Sequence, residues 1–306
     1  MSFQGVPYDL RISILPSLYG ETIVIRLLSG QVDFIEKNEL GMLPCQEKVF
    51  RKCLARGSGM ILTAGPTGSG KTSTLYAALK MLNKEGVSII SVEDPVEYRL
   101  QGVTQVQVNE KAGLTFERGL RSIVRQDPDI VMIGEIRDRE TAEIAVHAAL
   151  TGHLVLSTLH TNHASDAPLR LMDMGIAPYL LSASLSLVMA QRLARRLCHR
   201  CRESYFLPGE EQQSLGLPEA CEGNRVYRAR GCDGCHEGYR GRTGVFEMIS
   251  IGRRERDIIH HRFSADDFRK CMKDQGQPSM GEAALTLMAE GVISPDEASL
   301  ILAGED

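Results

Sequence analysis

The sequence lacks a long uninterrupted hydrophobic run. A membrane-spanning helix needs about 18 consecutive apolar residues, whereas the most apolar stretch, residues 178–190, covers 13 residues and contains three serines. We therefore expect a buried core helix there rather than a membrane span. The N-terminus also lacks the basic and then apolar pattern of a secretory signal, so a cytosolic location is the default expectation.

A large excess of one charge sign is missing as well. The 35 basic and 39 acidic side chains give a formal net charge of −4, which argues against wholesale nucleic-acid binding and leaves room for local basic patches. The chain also contains no low-complexity tract and no internal repeat. Its 306 residues, of which 43% are hydrophobic, are typical of an ordinary soluble protein with about two domains.

The first thirty residues predict a β-hairpin. Apolar and polar residues alternate over residues 10–14 and again over residues 23–27, with a turn expected at residues 16–20. A lone hairpin is only marginally stable in water, and nothing before residue 6 suggests a third strand. We therefore expect this segment to be the tail of a domain whose earlier part lies outside this chain.

From about Leu43 the pattern changes to alternating helices and strands. Strands are expected at residues 60–63, 87–92, 130–133 and 154–157, and helices at residues 44–55, 72–82, 116–125 and 141–150. This alternation predicts a mostly parallel sheet covered on both faces, as in nucleotide-binding α/β domains. A long helical stretch is expected at residues 178–197, followed by a region rich in Gly, Cys and Arg. Short helices should complete the chain, with Ser264 and Ser294 as N-caps.

Residues 65–72 form the sequence GPTGSGKT, which fits the phosphate-loop pattern G-x-x-x-x-G-K-[ST]. An apolar strand precedes the pattern and a helix follows it, so backbone N–H groups and the helix dipole can cradle phosphate oxygens. Lys71 is expected to bridge the β- and γ-phosphates of ATP, and the Thr72 hydroxyl to bind Mg²⁺. The alternative is a glycine-rich turn that merely caps a helix. The candidate nucleotide-binding residues are Gly65, Pro66, Thr67, Gly68, Ser69, Gly70, Lys71, Thr72 and Ser73.

A phosphate loop needs an acidic partner at the end of a neighbouring strand. The apolar residues 130–133 lead directly to Glu135, which is the candidate to polarise the attacking water and to hold the Mg²⁺ shell. The alternative is a surface carboxylate that ends a strand.

Four of the eight cysteines form two Cys-x-x-Cys pairs: Cys198 with Cys201, and Cys232 with Cys235. A reducing cytosol does not favour disulfides, whereas two such pairs suit tetrahedral coordination by four sulfurs. Four protein ligands leave no open position, so we expect structural Zn²⁺ that clamps a small subdomain. An iron–sulfur cluster and four unmetallated thiols are the alternatives.

Several longer motifs resemble those of secretion ATPases. Residues 93–97 (EDPVE) resemble the acidic box of that family, residues 126–130 and 134–138 its Walker B segment, and residues 151–162 its histidine box. Together with the phosphate loop they occur in the family's order, and the resemblance runs from about Pro7 to the C-terminus. The relatives are the type II secretion ATPases and the type IV pilus extension ATPases. The pilus retraction ATPases lack the cysteine element.

The resemblance implies an α/β fold: a RecA-like P-loop NTPase domain with a mostly parallel sheet, a partial PAS-like α/β domain before it, and zinc-binding and helical subdomains after it. The implied boundaries are 1–36, 37–197, 198–243 and 244–306. Family members carry a complete second domain and usually a further N-terminal domain, and the resemblance leads us to expect that this chain starts within the second domain.

In function, the resemblance implies Mg²⁺-dependent ATP hydrolysis by a homo-hexamer on the cytoplasmic face of the inner membrane. The expected partners are the inner-membrane platform and recruiting proteins of a secretion or pilus machine, through which the chain would associate peripherally with the membrane. No nucleic-acid partner is expected. The sequence does not separate secretion from pilus extension, although overall resemblance leans towards secretion.

The resemblance also assigns residues to roles. Glu93 and Glu135 would be the catalytic carboxylates, and His160 and His153 would contact the γ-phosphate region. Arg11 and Arg26 match arginines of the preceding domain that reach the phosphates when the domains close. Further arginines that match and flank the site are Arg121, Arg125 and Arg137. The alternatives are solvated surface charges for the arginines and a hydrogen-bonded structural role for the histidines.

A basic cluster adjoins the first cysteine pair; its members are Arg192, Arg195, Arg196, Arg200 and Arg202. It could face anionic lipid or an acidic partner, or it could be a solvated helix end. Three other functions compete with the secretion motor. They are a DNA-translocating motor of conjugation or uptake, a non-catalytic nucleotide-gated scaffold, and a zinc-binding interaction module.

Overall fold

A computed structural model describes residues 2–3, 6–29, 40–261 and 264–304. The first sheet contains the antiparallel strands β1 (Ser2–Phe3), β2 (Val6–Ser17) and β3 (Gly20–Ser29). The predicted hairpin is therefore confirmed, although its turn is limited to residues 18–19. The expectation that nothing precedes it as a strand was wrong, because β1 pairs with the start of β2. Two residues are too few to show a periodic pattern.

The main sheet has seven strands among the described residues. They are β4 (Gly59–Ala64), β5 (Ile89–Glu93), β6 (Thr104–Gln107), β7 (Ile130–Ile133), β8 (Leu154–Leu159), β9 (Leu185–Leu197) and β12 (Tyr239–Ser250). Their order across the sheet is β12-β9-β4-β8-β7-β5-β6. All neighbours are parallel except β12, which is antiparallel to β9. A separate small sheet pairs β10 (Glu203–Phe206) with β11 (Arg225–Arg228).

Most helices lie between the strands or after the last one. They are α1 (Pro44–Leu54), α2 (Lys71–Leu82), α3 (Phe116–Ile123), α4 (Arg139–Leu150), α5 (Asp166–Asp173), α6 (Pro178–Ser184), α7 (Gly209–Ser214), α8 (Arg253–His260), α9 (Ala265–Asp274), α10 (Met280–Ala289) and α11 (Pro295–Leu302). The two predicted N-caps are confirmed, since Ser264 and Ser294 accept hydrogen bonds from backbone N–H groups of the first turn.

Helices cover both faces of the main sheet. Successive side chains of a strand point to opposite faces, so Ile61 packs in one hydrophobic cluster with Phe50 of α1 and Leu75 of α2. Leu62 packs in the other cluster, which includes Leu120 of α3. The prediction of a mostly parallel sheet buried on both faces is therefore confirmed.

The expected long helix at residues 178–197 was wrong. Helix α6 ends at Ser184, and the chain continues as the 13-residue strand β9 between β4 and β12. Residues 185–191 are buried on both faces, so no alternation distinguishes this strand from a buried helix. The expected buried core helix at residues 178–190 is therefore half strand. Within the described ranges, no helix has the length and apolar composition that crossing a membrane requires.

Strand β12 was also missed, and it bears on the expected domain boundaries. It crosses the boundary expected at residue 243 and joins the main sheet by pairing with β9. The boundary expected at residues 36–37 lies outside the described residues. The division into four units stays a prediction.

Candidate functional site

A cavity of about 660 Å³ opens where the parallel strands of the main sheet end. Much of its lining comes from the loop after β4, the end of β5 with the chain that follows it, and the ends of β7 and β8. Ligands of open α/β sheets bind outside the carboxyl ends of the strands, and the volume is typical of a small-molecule site. The geometry therefore brings the phosphate loop, the acidic box and the Walker B segment to one place.

A second cavity, of about 710 Å³, lies at the opposite edge of the sheet. It is lined by residues at the starts of β4 and β9 and by Arg56, Arg253 and Arg256. None of the residues in the four sequence motifs except Gly152 lines this cavity. The chemistry is therefore assigned to the smaller cavity.

The phosphate loop lies between β4 and α2 and packs against β9. Gly65 has φ +144° and Gly70 has φ +90°, a region that favours glycine. A Cβ atom at Gly65 would lie 2.6 Å from both the Gln191 carbonyl oxygen and Ser69 Oγ, and one at Gly70 would lie 2.8 Å from Gln191 Nε2. Gly65 therefore excludes a side chain, whereas at Gly70 the positive φ favours glycine and the Gln191 side chain would have to move. The Thr72 side chain is exposed and lines the cavity, so its hydroxyl is free to bind a cation.

Lys71 lies over the loop that it follows. Its Nζ donates hydrogen bonds to the carbonyl oxygens of Gly65 (2.7 Å) and Pro66 (3.0 Å). Burial lowers the pKa of Lys71, and the charge of Glu135 partly opposes this shift. Ser69 Oγ is buried and has no hydrogen-bond partner within the described part of the chain. This loop therefore offers an ammonium group and an unsatisfied hydroxyl, which suits a phosphate ligand.

Glu135 follows β7 and contacts two basic side chains. Its Oε2 lies 2.9 Å from His160 Nε2, and its Oε1 forms an ion pair with Arg137. Burial alone would raise the pKa of Glu135, but hydrogen bonds from Arg137 and His160 outweigh burial and lower it. Thr158 Oγ1 donates to the Gly134 carbonyl oxygen (2.8 Å) and links the ends of β7 and β8. Glu135 is therefore an ionised carboxylate in a fixed position.

Glu93 is the last residue of β5 and is only 2% exposed. Ser91 Oγ and Gln105 Nε2 donate to its Oε1 at 2.6 and 3.1 Å, and the Tyr76 hydroxyl donates to its Oε2. A buried carboxylate needs such donors, because an unpaired buried charge is costly. The structure therefore places Glu93 in the lining of the cavity with both oxygens held.

His153, which is predicted near the γ-phosphate, does not line the cavity. It precedes β8, and its backbone carbonyl accepts from the N–H of Gly59 at the start of β4. Its Nδ1 lies 3.0 Å from the Ala148 carbonyl oxygen and 3.2 Å from Thr151 Oγ1. The six residues of β8 separate it from His160 by about 20 Å at the usual rise per residue. The alternative structural role fits His153.

The predicted arginines are not shown to line the cavity, and Arg137 reaches it only through its ion pair with Glu135. Arg121 pairs with Glu117 on the surface of α3, and Arg125 is exposed just after that helix. Arg11 is exposed on β2, opposite Arg26 of β3 in the strand register. The side chain of Arg26 lies outside the described part of the structure. None of the four described side chains lines the cavity.

The sequence missed several residues that line or support the cavity. Leu193 of β9 and Arg242 of β12 line it, and both belong to strands that the sequence did not predict. Phe116 of α3 lines it as well. Tyr76 supports Glu93 from within α2 through its hydroxyl.

The four predicted cysteines lie together. The Sγ distances are 3.9 Å for Cys198–Cys232, 3.7 Å for Cys201–Cys235 and 3.6 Å for Cys232–Cys235, and all four sulfurs lie within 4.8 Å of one another. Tetrahedral zinc with Zn–S bonds of about 2.3 Å requires sulfurs about 3.8 Å apart. The cluster therefore fits one Zn²⁺ ion.

The cysteine cluster is attached to the end of the β9–β12 ladder. Leu197 pairs with Tyr239, and the N–H of Cys198 donates to the Gly238 carbonyl oxygen at 2.8 Å. A hydrogen bond from the backbone of Arg200 is the main cause that lowers the pKa of Cys198 to about 7. Burial raises the pKa of the neighbouring Cys201 to about 12, so the thiolate that a metal requires is favoured at Cys198 but not at Cys201.

The interpretation of the basic cluster as a helix end was wrong, since it starts on β9. Arg195 forms an ion pair with Glu297 of α11 (2.7 Å) and lies over the Tyr239 ring. Arg202 lies over the Tyr227 ring of β11. Arg195 therefore connects β9 with α11, and Arg202 contacts the small sheet.

Comparisons with known proteins agree with these motifs. A family model described as type II/IV secretion system protein matches residues 1–300. Type II secretion system protein E of Pseudomonas aeruginosa is 49% identical over 294 residues, which cover 96% of this chain and 58% of that protein. Type II secretion system ATPase E of Vibrio cholerae is 46% identical over 294 residues, covering 96% of this chain and 58% of that protein.

A pilus protein is also similar. Type IV pilus assembly ATPase PilB of Acinetobacter baylyi is 44% identical over 292 residues, which cover 94% of this chain and 50% of that protein. The chain thus spans 50–58% of the length of these three relatives.

Solved structures share the fold. The crystal structure of the pilus retraction motor PilT with bound ADP has a TM-score of 0.69 and 26% identity, covering 94% of this chain and 72% of that chain. The Legionella pneumophila ATPase DotB has a TM-score of 0.68 and 22% identity, covering 99% of this chain and 75% of that chain. The second likeness supports the fold alone.

Proposed function

This chain belongs to the type II/IV secretion system protein family, and we propose that it is the motor core of an Mg²⁺-dependent ATP hydrolase. The family expected from the sequence motifs is confirmed. One observation carries the proposed activity: Lys71, Glu93 and Glu135 line a single cavity at the carboxyl edge of the sheet. The three residues come from three separate segments of the chain. Their convergence supports phosphoryl transfer, in which positioning and charge stabilisation dominate.

Each side chain has a proposed role. Lys71 binds the β- and γ-phosphates, and the unsatisfied Ser69 hydroxyl adds a donor to the same loop. Thr72 and Glu135 would hold Mg²⁺, which prefers oxygen ligands and neutralises phosphate charge when bound. Glu93 would orient the attacking water from the buried side of the cavity. His160 contacts Glu135 and keeps its carboxylate directed at the cavity.

The four cysteines have a structural role in this proposal. With all four ligands supplied by the protein, a bound Zn²⁺ has no position for substrate. The cluster would fix residues 198–235 to the end of the β9–β12 ladder. Metal analysis separates zinc from the alternatives of an iron–sulfur cluster and free thiols.

The motor would act within a larger machine. We propose a homo-hexamer at the cytoplasmic face of the inner membrane, which drives protein secretion through type II secretion machinery by contacts with platform and recruiting proteins. The relatives named type II secretion system protein E favour secretion. The similarity to PilB keeps type IV pilus extension as the second candidate. A DNA-translocating motor would require DNA-stimulated hydrolysis, which the net charge of −4 does not favour.

The test is steady-state ATP hydrolysis with Mg²⁺ at increasing protein concentration, together with size-exclusion light scattering. We expect hydrolysis per chain to rise as rings form, and Glu135→Gln to lower kcat by about 10²-fold or more. Glu47→Gln, which removes a surface carboxylate paired with Arg51, is the matched control and should hydrolyse as the wild type does. A folded wild-type chain that binds ATP without hydrolysing it would favour the nucleotide-gated scaffold.

A further inference from the structure

Tyr76 occupies a position that the proposed roles above do not use. It lies in α2, five residues after Lys71, and is fully buried. Its ring packs with the hydrophobic cluster on that face of the sheet, but its hydroxyl lies at the end of β5 beside Glu93. The helix that begins at the phosphate loop thus reaches the acidic box through one side chain.

The Tyr76 hydroxyl forms three hydrogen bonds, two with the acidic box and one with the residue that follows it. It donates a hydrogen bond to Glu93 Oε2. It also accepts from the backbone N–H groups of Glu97 (3.2 Å) and Tyr98 (3.5 Å). One hydroxyl therefore fixes both the carboxylate and the chain that follows it.

The two oxygens of Glu93 are held by different parts of the structure. Ser91 and Gln105 donate to Oε1, and Gln105 is itself fixed because its Oε1 accepts from the Leu100 N–H at 2.7 Å. Among the described residues, Tyr76 is the donor to Oε2. The last torsion of a glutamate side chain is broad, so donors on one oxygen alone leave the carboxylate free to rotate. A donor on each oxygen fixes its plane.

The Tyr76 hydroxyl acts as a donor at any working pH. Burial, and then the hydrogen bond to Glu93, raise the pKa of Tyr76 above its ordinary value. The phenol therefore keeps its proton and donates it in the hydrogen bond to Glu93.

We propose that Tyr76 is a positioning residue for ATP hydrolysis, which holds the Glu93 carboxylate in its reactive orientation and ties it to the phosphate-loop helix. This inference rests on the proposed role of Glu93 in orienting water. Tyr76 acts through Glu93 and the acidic box, and it does not line the cavity itself. A tyrosine that merely fills the core would affect stability and leave turnover unchanged.

The experiment compares Tyr76→Phe, Glu93→Gln and the double variant in the full chain. Phenylalanine keeps the ring and its packing and removes only the hydroxyl. We expect Tyr76→Phe to lower kcat about tenfold or more, as the loss of a hydrogen bond to a charged group implies, with little change in the KM for ATP. Because Tyr76 acts through Glu93, the double variant should be no slower than Glu93→Gln alone.

The matched control is Tyr205→Phe. Tyr205 also donates its hydroxyl to a glutamate, Glu211, but it lies in the small sheet after the first cysteine pair. This variant should keep the wild-type kcat. Unchanged turnover in Tyr76→Phe, or effects that multiply in the double variant, would overturn the inference.

Crystal structures of wild type and Tyr76→Phe with a non-hydrolysable ATP analogue provide a readout that does not require activity. We expect the Glu93 carboxylate to rotate in the variant while the phosphate loop keeps its conformation. An unmoved carboxylate would overturn the inference even if the wild type proved inactive. Wild-type turnover in Glu93→Gln would instead contradict the proposed role of Glu93, and with it this inference.

Discussion

The proposed nucleotide cavity and the cysteine cluster lie along the same strand but are built in opposite ways. Strand β9 passes the phosphate loop at Gln191 and Leu193 and ends just before Cys198. At the cavity, Thr72 is exposed and Ser69 Oγ is unsatisfied. At the cluster, the four sulfurs contact one another and backbone N–H groups. The cavity therefore offers binding groups to a ligand that can enter and leave, whereas the four sulfurs of the cluster face one another around a single metal position.

The difference leads to different expected roles. An open site can exchange substrate and product, so changes to the side chains that line it should alter binding and turnover with little effect on stability. A closed site cannot take a substrate, so changes there should alter metal content and folding.

Cys232→Ser should have the largest effect. We expect zinc, at about one ion per chain in the wild type, to be lost and the melting temperature to fall, because metal binding by such sites is coupled to folding. ADP binding by the remaining folded protein should be retained. Inductively coupled plasma mass spectrometry measures the zinc content, and calorimetry measures the melting temperature and ADP binding. Cys45→Ser, which changes an exposed free cysteine, is the control, and iron in place of zinc would contradict the assignment.

Gly65→Ala should disturb the shared strand from the cavity side. A Cβ atom there meets the Gln191 carbonyl at 2.6 Å, so we expect a loss of about 3 kcal/mol in unfolding free energy from overpacking and backbone strain. Gly68→Ala is the matched control, because that position also has positive φ but has open space around it. Its cost should be about 1 kcal/mol. Equal costs in chemical denaturation would show that the loop does not pack against β9.

His160→Gln and His153→Gln test the two edges of the sheet. We expect about a tenfold fall in kcat for His160→Gln, because Glu135 loses a hydrogen bond from a group that can carry charge. His153 lies at the opposite edge, so its variant should hydrolyse ATP as the wild type does. Steady-state assays at saturating ATP measure kcat of both variants. A larger fall in kcat for His153→Gln than for His160→Gln would contradict the placement of the site at the carboxyl edge of the sheet.

The smallest expected effect is a pH dependence from Glu135. Burial raises the pKa of Glu135, but Arg137 and His160 outweigh burial and lower it. A lowered folded pKa contributes stability that is present above the ordinary carboxyl pKa and is lost as pH falls through the folded value. Below about pH 4.5 we therefore expect the unfolding free energy of the wild type to fall by about 1 kcal/mol more than that of Glu135→Gln. The difference is small because the Arg137 side chain is 60% exposed and solvent screens the ion pair.

Denaturation curves of both proteins across that pH range measure this difference. Release of metal by protonated cysteines affects wild type and variant alike, so it cancels when the two are compared. A wild-type advantage that grows on acidification would contradict the direction of the Glu135 pKa shift.

Local sequence patterns were sufficient to predict much of both sites and part of the fold. The phosphate loop, Glu135 and the paired cysteines are local patterns, and their residue types and spacing are set by the ligand they contact. Most parallel strands could also be predicted, because short apolar runs alternate with helices. These features needed no knowledge of distant contacts.

The errors arise where distant parts of the chain decide the local structure. Residues 185–197 contain strong helix formers such as Leu, Met, Ala and Arg, yet pairing with β4 and β12 makes them a strand. That error concealed Leu193 and Arg242, which reach the cavity from these strands. His153 and His160 share one sequence motif, and only the length of β8 separates them. The role of Tyr76 depends on Glu93, a residue that the fold brings to it.

The most direct test of the central claim is an equilibrium titration of the full chain with Mg²⁺ and ADP by calorimetry. We expect wild type to bind about one nucleotide per chain, and Lys71→Ala to bind at least about 10²-fold more weakly because charged contacts to phosphate are lost. The melting temperature of Lys71→Ala should stay close to that of wild type. Equal affinity in both proteins, or no binding by folded wild type, would contradict the assignment of this cavity as the nucleotide site.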